Sequence, residues 1–504
     1  MTPDIILGPP GTGKTTTLLS VVDELLSSGV DPEKIAYVTF TRRGAEEAVQ
    51  RACVRFSLEK KRFPYFRTLH SLCFRELGLK SSDVLEGSKL QAFSRYAGVK
   101  ISGRGWSEDG TLTGFDQGDR ILFAENLSRV REITLRQQYE IDTDRLPWSE
   151  VQRVSAALAK FKQHHGLMDY TDMLTQFVRE NITIPVTHLI VDEAQDLSRL
   201  QWHVVEQVAR AASRVYVAGD DDQAIYRWAG ADVDYLINMR GSARVLGQSY
   251  RVPPAIQRVA SRVISAVRQR REKKWSARTG ADGLVRRAAN FVEVDPKEDS
   301  VLVLARNSYV IREFVEPELR RQGVVFEKNG HSSIKPAHLE AITAWEALRA
   351  GKHVTVEQAR AAYELMSSGR GVARGHKKLP HYGDADDREV SIEDLEKDGG
   401  LLTRAIWHEA MDRLPTDELS YIMAARRRGE KLRQRPRVRL ATIHGSKGGE
   451  ADHVVLMKEM AGRTYREMER NEEDEARVWY VGVTRAREKL TIVESTTRQA
   501  CPWL

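Results

Sequence analysis

The hydrophobic positions of this chain fall into short runs that end in polar residues, a pattern typical of strands in a buried parallel sheet. The first run, Asp4 to Leu7, leads into a Gly/Pro loop and a predicted helix from about Lys14 to Leu26. Further runs predict strands of the same sheet at Ile35 to Phe40, Leu189 to Val191 and Val215 to Ala218. We therefore expect an α/β domain whose polar strand ends gather along one edge.

A second α/β set is predicted later in the chain. It comprises a helix near Tyr309 to Gln322 and strands at Val301 to Leu304, Val324 to Lys328, Val438 to Thr442, Val454 to Met457 and Leu490 to Val493. Two charged, mainly helical stretches interrupt these sets. The domain prediction gives a first core in residues 1–76 and 167–250 with an insertion at 77–166, and a second core in residues 251–333 and 436–504 with an insertion at 334–435.

Composition describes a globular protein with a basic surface. Of its 504 residues, 41% are hydrophobic and 30% charged, and the net charge of +7 suits a polyanionic partner. Cys53, Cys73 and Cys501 are too few for a disulfide framework or a four-ligand zinc site. Because the chain has no signal-peptide pattern and no apolar run near the roughly 20 residues that span a bilayer, we expect a cytoplasmic protein without membrane contact.

A phosphate-binding loop is the most specific motif. The segment GPPGTGKT fits G-x-x-x-x-G-K-[ST] directly after a predicted strand and before a predicted helix. Backbone N–H groups would surround phosphate oxygens, Lys14 would reach the β- and γ-phosphates, and the Thr15 hydroxyl would hold Mg²⁺. The motif predicts a site for ATP and Mg²⁺, with the candidate nucleotide-binding residues Gly8, Pro9, Pro10, Gly11, Thr12, Gly13, Lys14, Thr15 and Thr16.

Two later strand ends add acidic and aromatic candidates. In LIVDEAQD, Asp192 can bind Mg²⁺ through water and Glu193 can accept a proton from the attacking water. In GDDDQAIYRWAGAD, Gln223 can sense the γ-phosphate, while Tyr226 and Trp228 suit base stacking. The alternatives are a solvated strand end for the two acids and core packing for the two aromatics.

Seven motifs in the same order resemble those of the UvrD/Rep family of superfamily 1 DNA helicases. They are VTFTRRGAEEA, FRTLHSLCFREL, LIVDEAQDLSRLQ, GDDDQAIYRWAGAD, LGQSYRVPPAI, VRLATIHGSKGGEADHVVLM and EARVWYVGVTRAREKL. They cover both predicted cores, and the insertions are matched only by position and by MDYTDML. The resemblance implies two RecA-like P-loop NTPase cores with parallel sheets, each interrupted by a mainly helical insertion.

The resemblance also implies roles for individual residues. Tyr250 would stack on adenine, Glu450 would bind the ribose, and Arg251 and Arg485 would reach the γ-phosphate from the second core. Together with Lys14, Glu193 and Gln223, the two arginines form the catalytic prediction. The predicted single-strand path comprises Phe40, Thr41, Thr68, His70, Tyr226 and Trp228, and His444, Ser446 and Lys447 would face the nucleotide or the DNA backbone.

Several positions depart from the family pattern. The family segment in which a glutamine reads adenine has no counterpart before Asp4, and Thr16 stands where an arginine often packs against the base. Ala229 replaces an arginine, Gly449 and Ala451 replace a leucine and a phenylalanine, and the second insertion is shorter than in large family members. We expect looser nucleotide selectivity and weaker contacts, with hydrolysis retained.

The expected function is an ATP-dependent DNA helicase that translocates on single-stranded DNA, 3′ to 5′ by the resemblance, and acts at single/double-strand junctions. Two alternatives are a translocase that displaces proteins or needs a partner to unwind, and a nucleotide-gated DNA-binding switch. RNA is a less favoured substrate, and the sequence distinguishes neither replication from repair nor any protein partner. The basic runs Arg268 to Arg278 and Arg426 to Arg439 are interpreted as solvated faces rather than duplex contacts.

Overall fold

The computed structural model describes residues 2–40, 42–103, 116–142, 146–383 and 385–504. Its strands are β1 (Asp4–Leu7), β2 (Ile35–Thr39), β3 (Phe66–Thr68), β4 (His188–Asp192), β5 (Arg214–Gly219), β6 (Ser242–Val245), β7 (Leu284–Ala288), β8 (Val301–Ala305), β9 (Phe326–Lys328), β10 (His331–Ser332), β11 (Val354–Thr355), β12 (Glu389–Val390), β13 (Val438–Thr442), β14 (Ala451–Met457) and β15 (Ala486–Val493).

The helices are α1 (Lys14–Ser27), α2 (Arg42–Phe56), α3 (Leu69–Glu76), α4 (Ser88–Ala97), α5 (Gln117–Val130), α6 (Leu135–Ile141), α7 (Trp148–His165), α8 (Tyr170–Arg179), α9 (Arg199–Ala209), α10 (Val233–Asn238), α11 (Pro254–Ile264), α12 (Ser308–Val310), α13 (Glu316–Gln322), α14 (Pro336–Arg349), α15 (Val356–Glu364), α16 (Ile392–Lys397), α17 (Trp407–Ala410), α18 (Thr416–Arg428), α19 (Gly462–Arg470) and α20 (Glu472–Val483). Within the described ranges, no helix combines the length and the apolar character that crossing a membrane requires.

The first sheet holds six parallel strands in the order β3-β2-β4-β5-β1-β6. Successive residues of β4 point to opposite faces, so that Ile190 packs in one hydrophobic cluster with Leu18 and Val22 of α1, and Val191 packs in another with Val204 of α9. The sheet is therefore buried on both faces, and its carboxyl edge carries the phosphate loop and the predicted acidic residues.

The second sheet has seven strands in the order β10-β9-β13-β8-β14-β15-β7. All neighbouring pairs are parallel except β9 and β10, which form an antiparallel pair. Its central strand β8, with the sequence VLVLA, is buried along its whole length. The α/β fold with two parallel-dominated sheets confirms the predicted fold class.

Each predicted insertion contains a hydrophobic cluster of its own. In residues 77–166 the cluster centres on Phe93 of α4, Ile121 of α5 and Leu158 of α7. In residues 334–435 it centres on Trp345 of α14 and Tyr363 of α15, beside the two-stranded sheet of β11 and β12. The exact domain boundaries stay a prediction.

The strand predictions differ from the structure mainly at sheet edges. Every predicted strand is present, although β2 ends at Thr39 rather than Phe40, and β9 begins at Phe326 rather than Val324. Among the described residues, six strands were not predicted: β3, β6, β7, β10, β11 and β12. Of these, β6 and β7 lie at edges of their sheets, where exposed side chains leave little hydrophobic pattern to read. The other four are only two or three residues long, too short to show a pattern.

Candidate nucleotide and nucleic-acid site

The phosphate loop leaves the carboxyl end of β1 and enters α1 through glycines with left-handed backbone. Gly11 and Gly13 have φ of 71° and 80°, a region that favours glycine. A Cβ atom on Gly8 would lie 1.9 Å from Cγ of Lys14, whose Nζ donates to the Gly8 carbonyl at 2.9 Å. The loop therefore closes tightly around the lysine, and a side chain on Gly8 would displace it.

The N-terminus of α1 fits an anion. Gly13 caps it without a side-chain hydrogen bond, and its first turn contains no acidic residue. Exposed N–H groups and the helix dipole at such an end favour a phosphate. Thr12 closes the loop internally through its hydroxyl, which donates to the Pro9 carbonyl at 2.8 Å, whereas Thr16 is exposed on the helix surface. These features match the chemistry of a nucleoside triphosphate.

The two acidic candidates lie at the end of β4. The Thr15 hydroxyl donates to Oδ2 of Asp192 at 3.2 Å, and the N–H of Glu193 donates to Oδ1 at 2.9 Å. Among the described residues, no cluster of three or more His, Cys, Asp or Glu could hold a metal ion by itself. One carboxylate beside one hydroxyl suits Mg²⁺, which commonly takes its remaining oxygen ligands from phosphate and water.

The pKa values of the two acids shift in opposite directions. Burial, followed by the charge of Glu193, raises the pKa of Asp192. Burial also opposes ionisation of Glu193, but the charges of Lys14 and Lys447 and other contacts together outweigh it and lower the pKa of that carboxyl. Glu193 also has a left-handed backbone with φ of 53°, a strained conformation for a non-glycine residue. The lowered pKa favours the ionised form of Glu193, which is the form that the predicted general base requires.

A chain of hydrogen bonds joins this base to the second core. Nε2 of Gln195 donates to Glu193 at 2.5 Å, and Oε1 of Gln195 accepts the Asp220 N–H at 2.9 Å. Nε2 of Gln223 donates to Asp220 at 2.6 Å, and Oε1 of Gln223 accepts from Arg485 at 2.8 Å. Every member hydrogen-bonds to the next, so these residues form one continuous network from Glu193 to Arg485.

Tyr250 and Arg251, at the boundary between the two predicted cores, lie against the phosphate loop. The Tyr250 N–H donates to the Gly11 carbonyl at 2.8 Å, and its ring is 73% exposed, which leaves a face open for stacking. Arg251 forms an ion pair with Glu450 at 2.5 Å, so the predicted phosphate ligand and the predicted ribose ligand contact each other. Burial, followed by the charge of Arg251, lowers the pKa of Arg485 to about 9.

The aromatic candidates lie directly beside this network. The rings of Phe40 and Tyr226 stack with centroids 5.5 Å apart, and Trp228 lies 6.3 Å from Tyr226. His444 of the second core lies 6.2 Å from Trp228. Nζ of Lys447 lies 5.0 Å from the Tyr226 ring centroid and also donates to the Gln223 carbonyl at 3.1 Å. One lysine therefore touches both the aromatic group and the nucleotide-sensing segment.

The remaining nucleic-acid candidates lie in an adjacent groove. Thr68 caps α3 by accepting the Ser71 N–H, and the His70 ring meets Tyr170 edge-on at 6.0 Å. Phe40, Thr68 and His70 line one groove of about 1100 Å³, together with the basic residues Lys60, Lys61, Arg67 and Arg75. Thr41 lies outside the described residues. The roles of all these site residues stay predictions.

The interpretation of Arg268 to Arg278 as a solvated face is wrong for its central residues. Lys273 is buried among the carboxylates of Asp220, Asp221 and Asp222, and Arg270 pairs with Asp222. The three aspartates directly follow β5, and nothing in the sequence predicts that they contact the basic segment Arg268 to Arg278. In Arg426 to Arg439, Arg428 is partly buried and pairs with Asp295, whereas Arg435 is exposed beside Glu327.

Three other residues at the site were not predicted from the sequence, because each has a hydrogen-bond partner at least 25 residues away. Tyr37 donates to Asp192, Gln195 bridges Glu193 and Asp220, and the Ser249 hydroxyl donates to the Pro10 carbonyl at 2.7 Å. For Gln195, the available signal was its position among the polar residues that follow β4. Strands β4 and β5 are parallel neighbours, so the residues that follow them lie at the same edge of the sheet.

Two protein-family models match the chain: the UvrD/REP helicase N-terminal domain over residues 1–244, and the UvrD-like helicase C-terminal domain over residues 407–497. Similar curated proteins include the ATP-dependent DNA helicase PcrA of Bacillus subtilis, 24% identical over 54% of this chain and 39% of that protein. PcrA of Staphylococcus epidermidis is 25% identical over 56% of this chain and 40% of that protein. The ATP-dependent DNA helicase Rep of Buchnera aphidicola is 24% identical over 52% of this chain and 41% of that protein. The chain thus spans less than half the length of these relatives.

Proposed function

This chain belongs to the UvrD/REP helicase family, and from that premise we propose that it is an ATP-driven motor that moves along single-stranded DNA and separates duplex strands. The observation that carries the proposal is the contact between the two halves of the site. Gln223 bonds to Arg485 and to Lys447, and Lys447 lies over the Tyr226 ring. Nucleotide chemistry and base stacking thus share the same residues.

The nucleotide half works through charge. Lys14 and the N-terminus of α1 bind the phosphates, and Arg251 and Arg485 approach from the other core. Thr15 and Asp192 would hold Mg²⁺, which would further neutralise the phosphate charge. The ionised Glu193 accepts the proton of the attacking water. Because the arginines belong to the second core, phosphate binding draws the cores together and loss of the γ-phosphate lets them separate.

The DNA half works through stacking. Bases stack on Phe40, Tyr226 and Trp228, and base–aromatic stacking contributes about 1 to 3 kcal/mol per base. Each opening and closing of the cleft shifts Lys447 and His444 relative to these rings, which moves the strand. Movement from 3′ to 5′ and action at single/double-strand junctions belong to this proposal on the strength of the motif resemblance.

A second candidate is a translocase that displaces proteins or unwinds only with a partner. The observation that favours it is the short insertion at residues 334–435, which packs around its own hydrophobic cluster. A nucleotide-gated switch is less favoured, since Glu193, Arg251 and Arg485 are all present.

The test combines steady-state ATPase, with and without single-stranded DNA, and unwinding of duplexes carrying a 3′ tail, a 5′ tail or no tail. We expect strong stimulation by DNA and unwinding of the 3′-tailed duplex alone. Stimulation without unwinding would favour the translocase, and the absence of stimulation would refute a motor. The control is Lys14→Ala, which should lose turnover and keep nucleotide-free DNA binding.

A further inference from the structure

Tyr37 is a buried tyrosine in the middle of a parallel sheet whose hydroxyl meets an acid of the nucleotide site. Its Oη donates to Oδ2 of Asp192 at 2.7 Å. The ring is fully buried and stacks on Phe66 with centroids 5.4 Å apart. Strand β2 pairs with β4 in a register that sets Tyr37 beside Ile190 and Thr39 beside Asp192. The phenol therefore reaches along the sheet to the carboxylate two residues further on.

The contacts of Asp192 show what this hydroxyl does. Oδ1 accepts the Glu193 N–H, and Oδ2 accepts from Tyr37 and from Thr15. Thr15 is itself a predicted Mg²⁺ ligand and sits at the longer distance of 3.2 Å. The Glu193 N–H and the Tyr37 hydroxyl thus form one hydrogen bond to each carboxylate oxygen, and these two bonds fix the plane of the carboxyl group.

We infer that Tyr37 is a positioning residue for Mg²⁺, which acts by orienting the Asp192 carboxylate toward the ion. The inference rests on the proposed function, because it concerns the same nucleotide site. Partners that hydrogen-bond to metal-binding side chains orient them, and their loss typically lowers metal affinity by about 10- to 100-fold. The ring of Tyr37 is packed and cannot turn away without disturbing Phe66, so its hydroxyl is held in place.

Tyr37→Phe tests the inference, since it removes the hydroxyl and keeps the ring. We would measure binding of a fluorescent N-methylanthraniloyl-ADP to the full chain while titrating Mg²⁺. The Mg²⁺ concentration for half-maximal binding should rise about 10- to 100-fold. Nucleotide affinity in EDTA should stay unchanged, which also reports that the variant is folded.

Tyr216→Phe is the matched control. Tyr216 pairs with the other side of Ile190 in the same sheet, and its hydroxyl interacts with Arg214 rather than with Asp192. This variant should show the Mg²⁺ dependence of the unaltered chain. With Mn²⁺ in place of Mg²⁺, the electron paramagnetic resonance spectrum of the bound Mn²⁺·ADP should change in Tyr37→Phe and not in Tyr216→Phe.

A double-mutant cycle separates positioning from a general structural effect. If Tyr37 acts through the Asp192 carboxylate, Tyr37→Phe should have no further effect on Mg²⁺ dependence in an Asp192→Asn background. An unchanged Mg²⁺ dependence in Tyr37→Phe, or an equal effect in both backgrounds, would overturn the inference. Absence of Mg²⁺-dependent nucleotide binding by the unaltered chain would overturn the proposed function together with it.

Discussion

Replacing Lys273 by methionine should destabilise the protein strongly, because this lysine is the central cation of a buried acidic cluster. Its side chain is 1% exposed, with Nζ 3.2 Å from Asp220 and 3.1 Å from Asp222 and bonded to Asp221. The three acids follow β5 of the first sheet, whereas Lys273 lies between α11 and β7. The cluster therefore ties the first predicted core to the second.

The magnitude follows from the cost of leaving a buried charge without its partner. Removing one member of a buried ion pair typically costs about 3 to 5 kcal/mol. Methionine is nearly isosteric with the lysine stem, so the cavity contribution is small. Arg270 still pairs with Asp222, and the Arg271 N–H still donates to Asp221. We therefore expect a loss of about 3 to 5 kcal/mol in the free energy of unfolding at pH 8.

The loss should shrink at low pH. Burial raises the pKa of Asp222 to about 6, and Lys273 opposes that rise. A carboxyl whose pKa is higher in the folded state binds more protons when the protein is folded. The stabilising contribution of Asp222 is therefore complete below about pH 4 and is lost as the pH rises through 6. Without Lys273 this pKa rises further. The difference between variant and unaltered chain should consequently be smaller at pH 5.5 than at pH 8.

Urea unfolding followed by tryptophan fluorescence at both pH values measures these differences. Lys274→Met is the matched control, since the neighbouring lysine is 91% exposed and pairs with the exposed Glu272. It should change the free energy of unfolding by less than about 0.5 kcal/mol. A Lys273→Met loss below about 1 kcal/mol at pH 8, or a loss independent of pH, would refute the reasoning.

Two further predictions concern DNA binding and the coupling of DNA binding to ATP hydrolysis. Trp228→Ala should weaken single-stranded DNA binding by about 5- to 150-fold, the equivalent of about 1 to 3 kcal/mol of stacking. Trp228→Phe should keep most of the affinity. If fluorescence anisotropy gave the same affinity for Trp228→Ala and the unaltered chain, the stacking role would be contradicted. Gln195→Ala should reduce the stimulation of ATPase by DNA, because it breaks the link between Glu193 and Asp220, and should leave DNA affinity unchanged. An unchanged ratio of stimulated to basal rate would exclude Gln195 from the coupling.

The sequence predicted the features that are encoded locally. The phosphate loop, with a strand before it and α1 after it, was predicted because glycine spacing and hydrophobic runs directly constrain the backbone. Strands in the sheet centres, such as β8, were predicted for the same reason, since continuous burial requires a continuous apolar run. The edge strands β6 and β7 lacked that signal.

The ordered motifs also named aromatic residues that the structure brings together, although their roles stay predictions. Phe40, Tyr226, Trp228 and His444 were named from motif order, and the structure brings their rings within about 6 Å of a neighbour. The pairing of Arg251 with Glu450 was not predicted, because motif roles describe contacts with a nucleotide and not contacts between the ligating residues themselves.

By itself, then, the sequence determined the central strands of the two sheets, the phosphate loop and the list of candidate chemistry, because periodicity and loop geometry depend on neighbours in the chain. Only the tertiary structure decided that Tyr37 reaches Asp192, which lies 155 residues away, and that Lys273 pairs with Asp220, Asp221 and Asp222. A buried hydroxyl or charge takes its partner from whichever strand end or loop packs against it. The partner depends on strand order and on how the two cores pack together. Local sequence spacing predicts neither of these.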